Sequence, residues 1–125
     1  MKQDITNGED VELLVNTFYS KVKLNPVIGY IFKDLLRDNW ENHLPVMYRF
    51  WGNVLFYTGG YTGNPLMVHK HVNALFPLTA AHFGEWNKLF IATVDELFVG
   101  EKADLAKQRA LSISTVMQLE LLKAK

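Results

Sequence analysis

Four histidines, at positions 43, 69, 71 and 82, are the side chains of this sequence best suited to bind a metal or move a proton near neutral pH. Two of them close the stretch "TGGYTGNPLMVHKH", residues 58–71, in which three glycines fall within six residues and Pro65 opens the run to His69. Such a stretch can serve a metal site or a catalytic base, or be only a loop before an ordinary helix. Asn64 can cap and Pro65 can take the first helical position, so the spacing predicts a short helix ending at Phe76-Pro77. On a helix, residues two apart lie about 200° from each other, so His69 and His71 cannot ligate one metal together. His71 has Met67, Val68, Ala74 and Leu75 at helical neighbour positions, and His69 has Leu66, Val72 and Asn73. That pattern leans towards His71 as the inward one, and either histidine taken alone also reads as a half-buried structural residue. His82 falls in the first turn of a later helix, where exposure is expected.

Other chemistries are excluded by composition. There is no cysteine, which removes disulfides, zinc–thiolate sites, iron–sulfur clusters and thiol nucleophiles. The glycine run lacks the Lys-Ser/Thr of a phosphate loop, no G-x-S-x-G elbow occurs, and the repeated Glu-x-x-His of a di-iron bundle is missing. Thirteen basic residues balance thirteen acidic ones, which argues against nucleic acid as the main partner. No basic run suggests a membrane surface, and no apolar stretch approaches the roughly 18–20 residues of a transmembrane helix. The first residues, "MKQDITNGED", are polar and acidic, unlike a signal peptide, so a cytoplasmic protein is expected.

The elements that must position these residues read as helices. Thr6 and Glu9 have capping-box spacing, and Val11, Leu14, Val15, Phe18 and Val22 form one apolar face up to Asn25-Pro26. A short helix is expected over 27–36, with Ile28, Ile31, Phe32 and Leu35 inward. A third runs from 38 or 39 to 57 with Trp40, His43, Met47, Phe50, Trp51 and Val54 as its stripe. Pro45 requires that helix either to begin just before it or to kink there. Thr79 caps a long helix with Phe83, Trp86, Phe90, Val94 and Leu97 inward, ended by Gly100. The last helix, 102–123, should bury Ala106, Ala110, Ile113, Met117 and Leu121. No segment alternates as a strand. The expectation is an all-α single domain over 1–125, either a plain bundle or one built round a cofactor.

Three large rings with N–H or O–H donors, Tyr19, His43 and Trp86, fall on otherwise apolar faces. In a plain bundle they are core residues. In a haem pocket each has a task.

The ordered motifs resemble a family. "IGYIF" (28–32), "WENH" (40–43), "RFW" (49–51), "YTGNPLMVH" (61–69) and "HFGEWNKLFIATVDELF" (82–98) follow one another as in the group III truncated haemoglobins of bacteria. The resemblance runs from Phe18 to Ala110. It implies a truncated globin, a two-over-two helical sandwich around haem b (iron protoporphyrin). It further implies that His69, four residues after the proline, is the iron ligand, against the local lean towards His71. The other nitrogen of such an imidazole needs an acceptor. Tyr19, His43 and Trp86 would then face a bound gas, with Phe32 and Met47 lining the pocket. Arg49, Lys33, Lys70 and His71 suit the haem propionates by type. A phenol and an indole can donate to a partly negative gas ligand without bringing charge, each bond to a charged acceptor being worth about 1.5–3 kcal/mol.

The expected function is binding of oxygen or another diatomic gas (nitric oxide, carbon monoxide). Slow oxygen release suits redox chemistry, nitric oxide dioxygenase-like or peroxidase-like, better than transport. No reductase segment is present, so turnover calls for a separate electron donor. The competing readings are a non-haem helical interaction module and a metal protein using His43 and His69.

Overall fold

The computed structural model describes residues 2–31, 40–56 and 79–123, without the side chains of Trp40, Asn42 and residues 120–123. Four long helices make up most of it: α1 (Gly8–Leu24), α2 (Trp40–Phe56), α3 (Ala80–Leu97) and α4 (Glu101–Lys123). No strand occurs among the described residues; Gln3 and Phe98 form one isolated bridge.

Helix α1 starts one residue later than its sequence suggests. Asn7 is the N-cap and its side chain accepts from Asp10 N at 3.0 Å. Asp10 in turn accepts from the Thr6 N–H at 2.9 Å. Thr6-x-x-Glu9 and Asn7-x-x-Asp10 both offer a cap and a return acid, and asparagine is the stronger capping residue. At the other end Asn25 does two jobs. Its N–H bonds Val22 O at 3.1 Å, closing α1, and its side chain accepts from Val27 N and Ile28 N, opening the next turn. That turn brings Ile28 and Ile31 into the interior, while the expected inward Phe32 and Leu35 lie outside the described residues. Gly29 is needed there, because a Cβ would sit 2.9 Å from Val22 O.

Helix α2 begins at Trp40 and carries Pro45 inside it. The proline removes the one bond that would run back to the Glu41 carbonyl. His43 therefore stands on regular helix. The most buried line of α2 is Trp51 and Leu55, rotated from the expected stripe; His43, Met47, Phe50 and Val54 are only half-buried.

Gly100 opens α4 rather than closing α3. Helix α3 ends at Leu97 with Phe98 extended as its cap. The Gly100 carbonyl accepts from Asp104 N at 2.9 Å, and its φ of 142° is one that glycine tolerates and L side chains rarely adopt. The cap side chain comes from the far end of the chain. Asp4 accepts from Lys102 N and Ala103 N, both at 2.9 Å. Beside it, Val99 N bonds Gln3 O, and Ile5 is buried at 1% exposure. The polar N-terminal segment is thus stitched across the α3–α4 corner.

Packing closes a ring: α1 lies against α2 and α3, α4 against α3 and α2. Val11, Leu14, Val15, Phe18 and Val22 of α1 meet Trp51 and Leu55 of α2, Phe90 and Val94 of α3, and Ala103, Ala106 and Ala110 of α4. The small residues of α4 let its backbone approach the larger side chains opposite. Within α4, Ile113 is partly buried, Ser114 is buried where no polar residue was expected, and the Leu121 side chain lies outside the described residues. Lys102 ties the corner together, donating to Leu55 O at the end of α2 at 2.7 Å.

Candidate functional site

Tyr19 is held by the α1 face. Four residues past Val15, it follows the apolar stripe inward and is 7% exposed. Its ring meets Phe18 edge-on at 5.1 Å and His43 of α2 edge-on at 5.2 Å, the latter pair at 84°. Burial pushes the phenol pKa well above its ordinary value, so the O–H keeps its proton. His43 is half-buried on α2, with Met47 one turn on and packed against the core.

Trp86 enters from α3. It meets Phe18 edge-on at 5.5 Å and stacks on Phe90 at 5.6 Å and 6°. Phe90 stacks on Trp51 at 4.7 Å, so three rings from α2 and α3 form a ladder behind the donors. Phe18 touches both Tyr19 and Trp86, which brings donors from α1, α2 and α3 round one cluster of rings. The phenol of Tyr19 and the indole of Trp86 are the kind of group that can donate to a polar gas ligand beside a flat apolar cofactor without a buried charge. In that respect the residues present fit a haem pocket's gas-binding wall.

His82 stands apart from this set. It closes a capping box on α3: Nδ1 accepts from Thr79 N at 3.0 Å, and Nε2 lies 3.4 Å from the Tyr30 hydroxyl. It is half-buried, against the expectation of exposure, because the box folds its ring back over the helix start. Phe32, His69 and His71 lie outside the described residues, as do Lys33 and Lys70; Arg49 is exposed on α2. Among the described residues no three His, Asp or Glu side chains gather to hold a metal ion. A groove of about 320 Å³ between α1 and α2, bounded by Val11, Tyr48, Gly52 and Phe56, shares no residue with the donor cluster.

Sequence reasoning missed Asp4, Ser114 and Leu55. Asp4 caps a helix 98 residues away, and Ser114 is recognisable as buried only once α3 lies on α4. Leu55 lies one turn past Trp51, so the α2 pattern did carry a signal for it.

The chain is 31% identical to the group 3 truncated hemoglobin ctb of Campylobacter jejuni over 126 residues, covering 98% of this chain and 97% of that protein. The chain belongs to the group III truncated haemoglobins. The crystal structure of the group III truncated hemoglobin from Campylobacter jejuni superposes with a TM-score of 0.86 at 30% identity, covering 100% of this chain and 98% of that one. No family model matches the chain. The fold of this truncated haemoglobin is therefore the two-over-two helical sandwich, α1 and α2 forming one pair and α3 and α4 the other. It is a globin-type haem-binding protein. Among its described residues no helix is long and apolar enough to cross a membrane.

Proposed function

We propose that this truncated haemoglobin is a single globin domain that binds haem b through His69 and holds oxygen, or another diatomic gas, beneath Tyr19, His43 and Trp86. The observation that carries the reading is the buried Tyr19 ring set edge-on to His43, with Phe18 joining it to Trp86. His43, Met47, Phe50 and Val54 recur at three- and four-residue steps on α2 and are less covered than Trp51 and Leu55, and on this reading that face is shared with the cofactor. Haem, when bound, supplies the iron that takes up the gas and exchanges electrons.

The chain's residues do the rest. Tyr19 donates its O–H, and Trp86 its indole N–H, to the partly negative end of the gas. His43 gates the site or anchors a water at its edge. Met47, and Phe32 on this reading, exclude bulk water. Two donors retain oxygen too long for a carrier, so the site suits redox chemistry. One balanced outcome is nitric oxide plus dioxygen plus one electron giving nitrate, the electron coming from a separate donor protein; peroxide handling is the other class. On this reading the protein works in the cytoplasm.

The test is the absorption spectrum of the reduced protein with and without carbon monoxide. A Soret band that shifts with carbon monoxide is expected; a colourless, well-folded protein that takes up no haem overturns the reading. His69→Ala should lose stable haem while His71→Ala keeps the spectrum, and the reverse result moves the iron ligand to His71.

A further inference from the structure

The seam between α3 and α4 holds a polar cluster that the gas chemistry leaves unused. Asn87 Nδ2 of α3 donates to Ser114 Oγ of α4 at 3.1 Å. Gln118, one turn further along α4, donates to the same oxygen at 3.2 Å. Ser114 is 2% exposed, and on the same two helices Phe83 and Met117 are buried, with Ile113 packed on them. Asn87 Oδ1 is itself buried and has no hydrogen-bond partner among the described residues.

A buried polar atom without a partner destabilises a fold, and an apolar side chain of the same shape relieves that penalty. The cluster's contribution is therefore sought elsewhere than in stability. Buried polar contacts can select one register, because a small rotation or slide of either helix breaks them while apolar packing tolerates it. Helix α3 turns about its axis as a unit, so a rotation fixed at Asn87 is fixed at Trp86, the preceding residue. Trp86 needs such a restraint. Its ring is only partly buried, stacked on Phe90 and edge-on to Phe18, and such apolar ring contacts tolerate small rotations that a hydrogen-bonded helix register does not.

We propose that Asn87, held by Ser114 and Gln118, is a positioning residue that aims the Trp86 indole N–H at the haem ligand. This rests on the haem reading above.

The experiment uses the haem-loaded, reduced full chain with carbon monoxide as the probe. The infrared C–O stretch reports the field of the donors beside the gas, and a single aimed indole gives a single narrow band. Asn87→Leu and Ser114→Ala are each expected to split or broaden that band and to speed oxygen dissociation by roughly threefold or more. Asn87→Leu should melt no lower than the parent, whereas a general structural role predicts a lower melting temperature. In a Trp86→Phe background, Asn87→Leu should change neither band nor rate further. Lys88→Ala, exposed on the same helix, should leave the band unchanged. An unchanged band in Asn87→Leu overturns the inference, as does a change in that variant that persists without the indole or comes with a fall in its melting temperature. A wild-type chain that takes up no haem fails the underlying reading instead, before any variant is compared.

Discussion

Tyr19 is 7% exposed, and a phenolate at that depth would lose its hydration, so burial raises its pKa from an ordinary 10.0. Two consequences follow for measurement. The raised pKa makes the phenol's contribution to stability complete below pH 10 and lost as pH rises past that value, because the unfolded chain then ionises first. The denaturation midpoint should fall above pH 10, and Tyr19→Phe should remove much of that fall. Second, Tyr19→Phe and Trp86→Phe should each speed oxygen dissociation by about tenfold or more, since one bond to a charged acceptor contributes about 1.5–3 kcal/mol. Stopped-flow displacement of oxygen checks this, and unchanged rates in both variants would remove the donor pair from the mechanism. The identities of these rings were legible in the sequence, because a phenol, an imidazole and an indole are the neutral ring donors available. Their edge-on contacts were not, since Tyr19, His43 and Trp86 sit on three helices far apart along the chain.

At the scale of elements, the helix termini carry the surprises. Asp4 caps α4 from outside the helix. Burial acts to raise its pKa, but the N–H groups of Lys102, Ala103 and Ile5, with the Lys102 charge, outweigh it and hold the carboxyl below its ordinary 3.8. A depressed carboxyl contributes stability above its unfolded value and loses it as pH falls through the folded one. Asp4→Ala should destabilise the chain by about 1–2 kcal/mol at neutral pH, as cap deletions do, and the difference from the parent should shrink below about pH 4. Chemical denaturation at pH 7 and pH 3 measures it; an equal difference at both values would deny Asp4 its capping role. Local pattern located the four long helices well, since three- and four-residue apolar spacing depends on near neighbours. It put the α1 cap at Thr6 because the Thr6 and Asn7 frames have the same cap-and-acid spacing, and the stronger asparagine cap, bonded to Asp10 N, takes the position. It gave Gly100 to α3 because glycine marks a break without saying which neighbour uses it.

At the scale of the molecule, one ladder of rings binds the two layers. Phe90, fully buried, stacks between Trp51 and Trp86 and meets Phe18 edge-on at 5.2 Å. Phe90→Ala should destabilise the fold by about 3–5 kcal/mol and loosen both tryptophans, read as a lower melting temperature with altered indole fluorescence. Haem that binds only the folded chain adds its own stabilisation, so loading should raise the melting temperature, the rise growing with the logarithm of the affinity. An apoprotein that melts at the same temperature as the loaded one would be inconsistent with a cofactor seated between the layers.

Sequence alone determined what depends on neighbours along the chain. The four long helices, the inward face of α1 and the lack of thiol chemistry follow from local spacing and residue type, and the ordered motifs carry the resemblance to the truncated globins. The tertiary structure decided what depends on approach between distant segments. It joined Asp4 to α4, brought Tyr19 to His43, and buried Ser114 against Asn87. Such contacts arise only when one helix surface settles on another, and the pattern of a single helix carries no record of the angle at which its neighbour will lie.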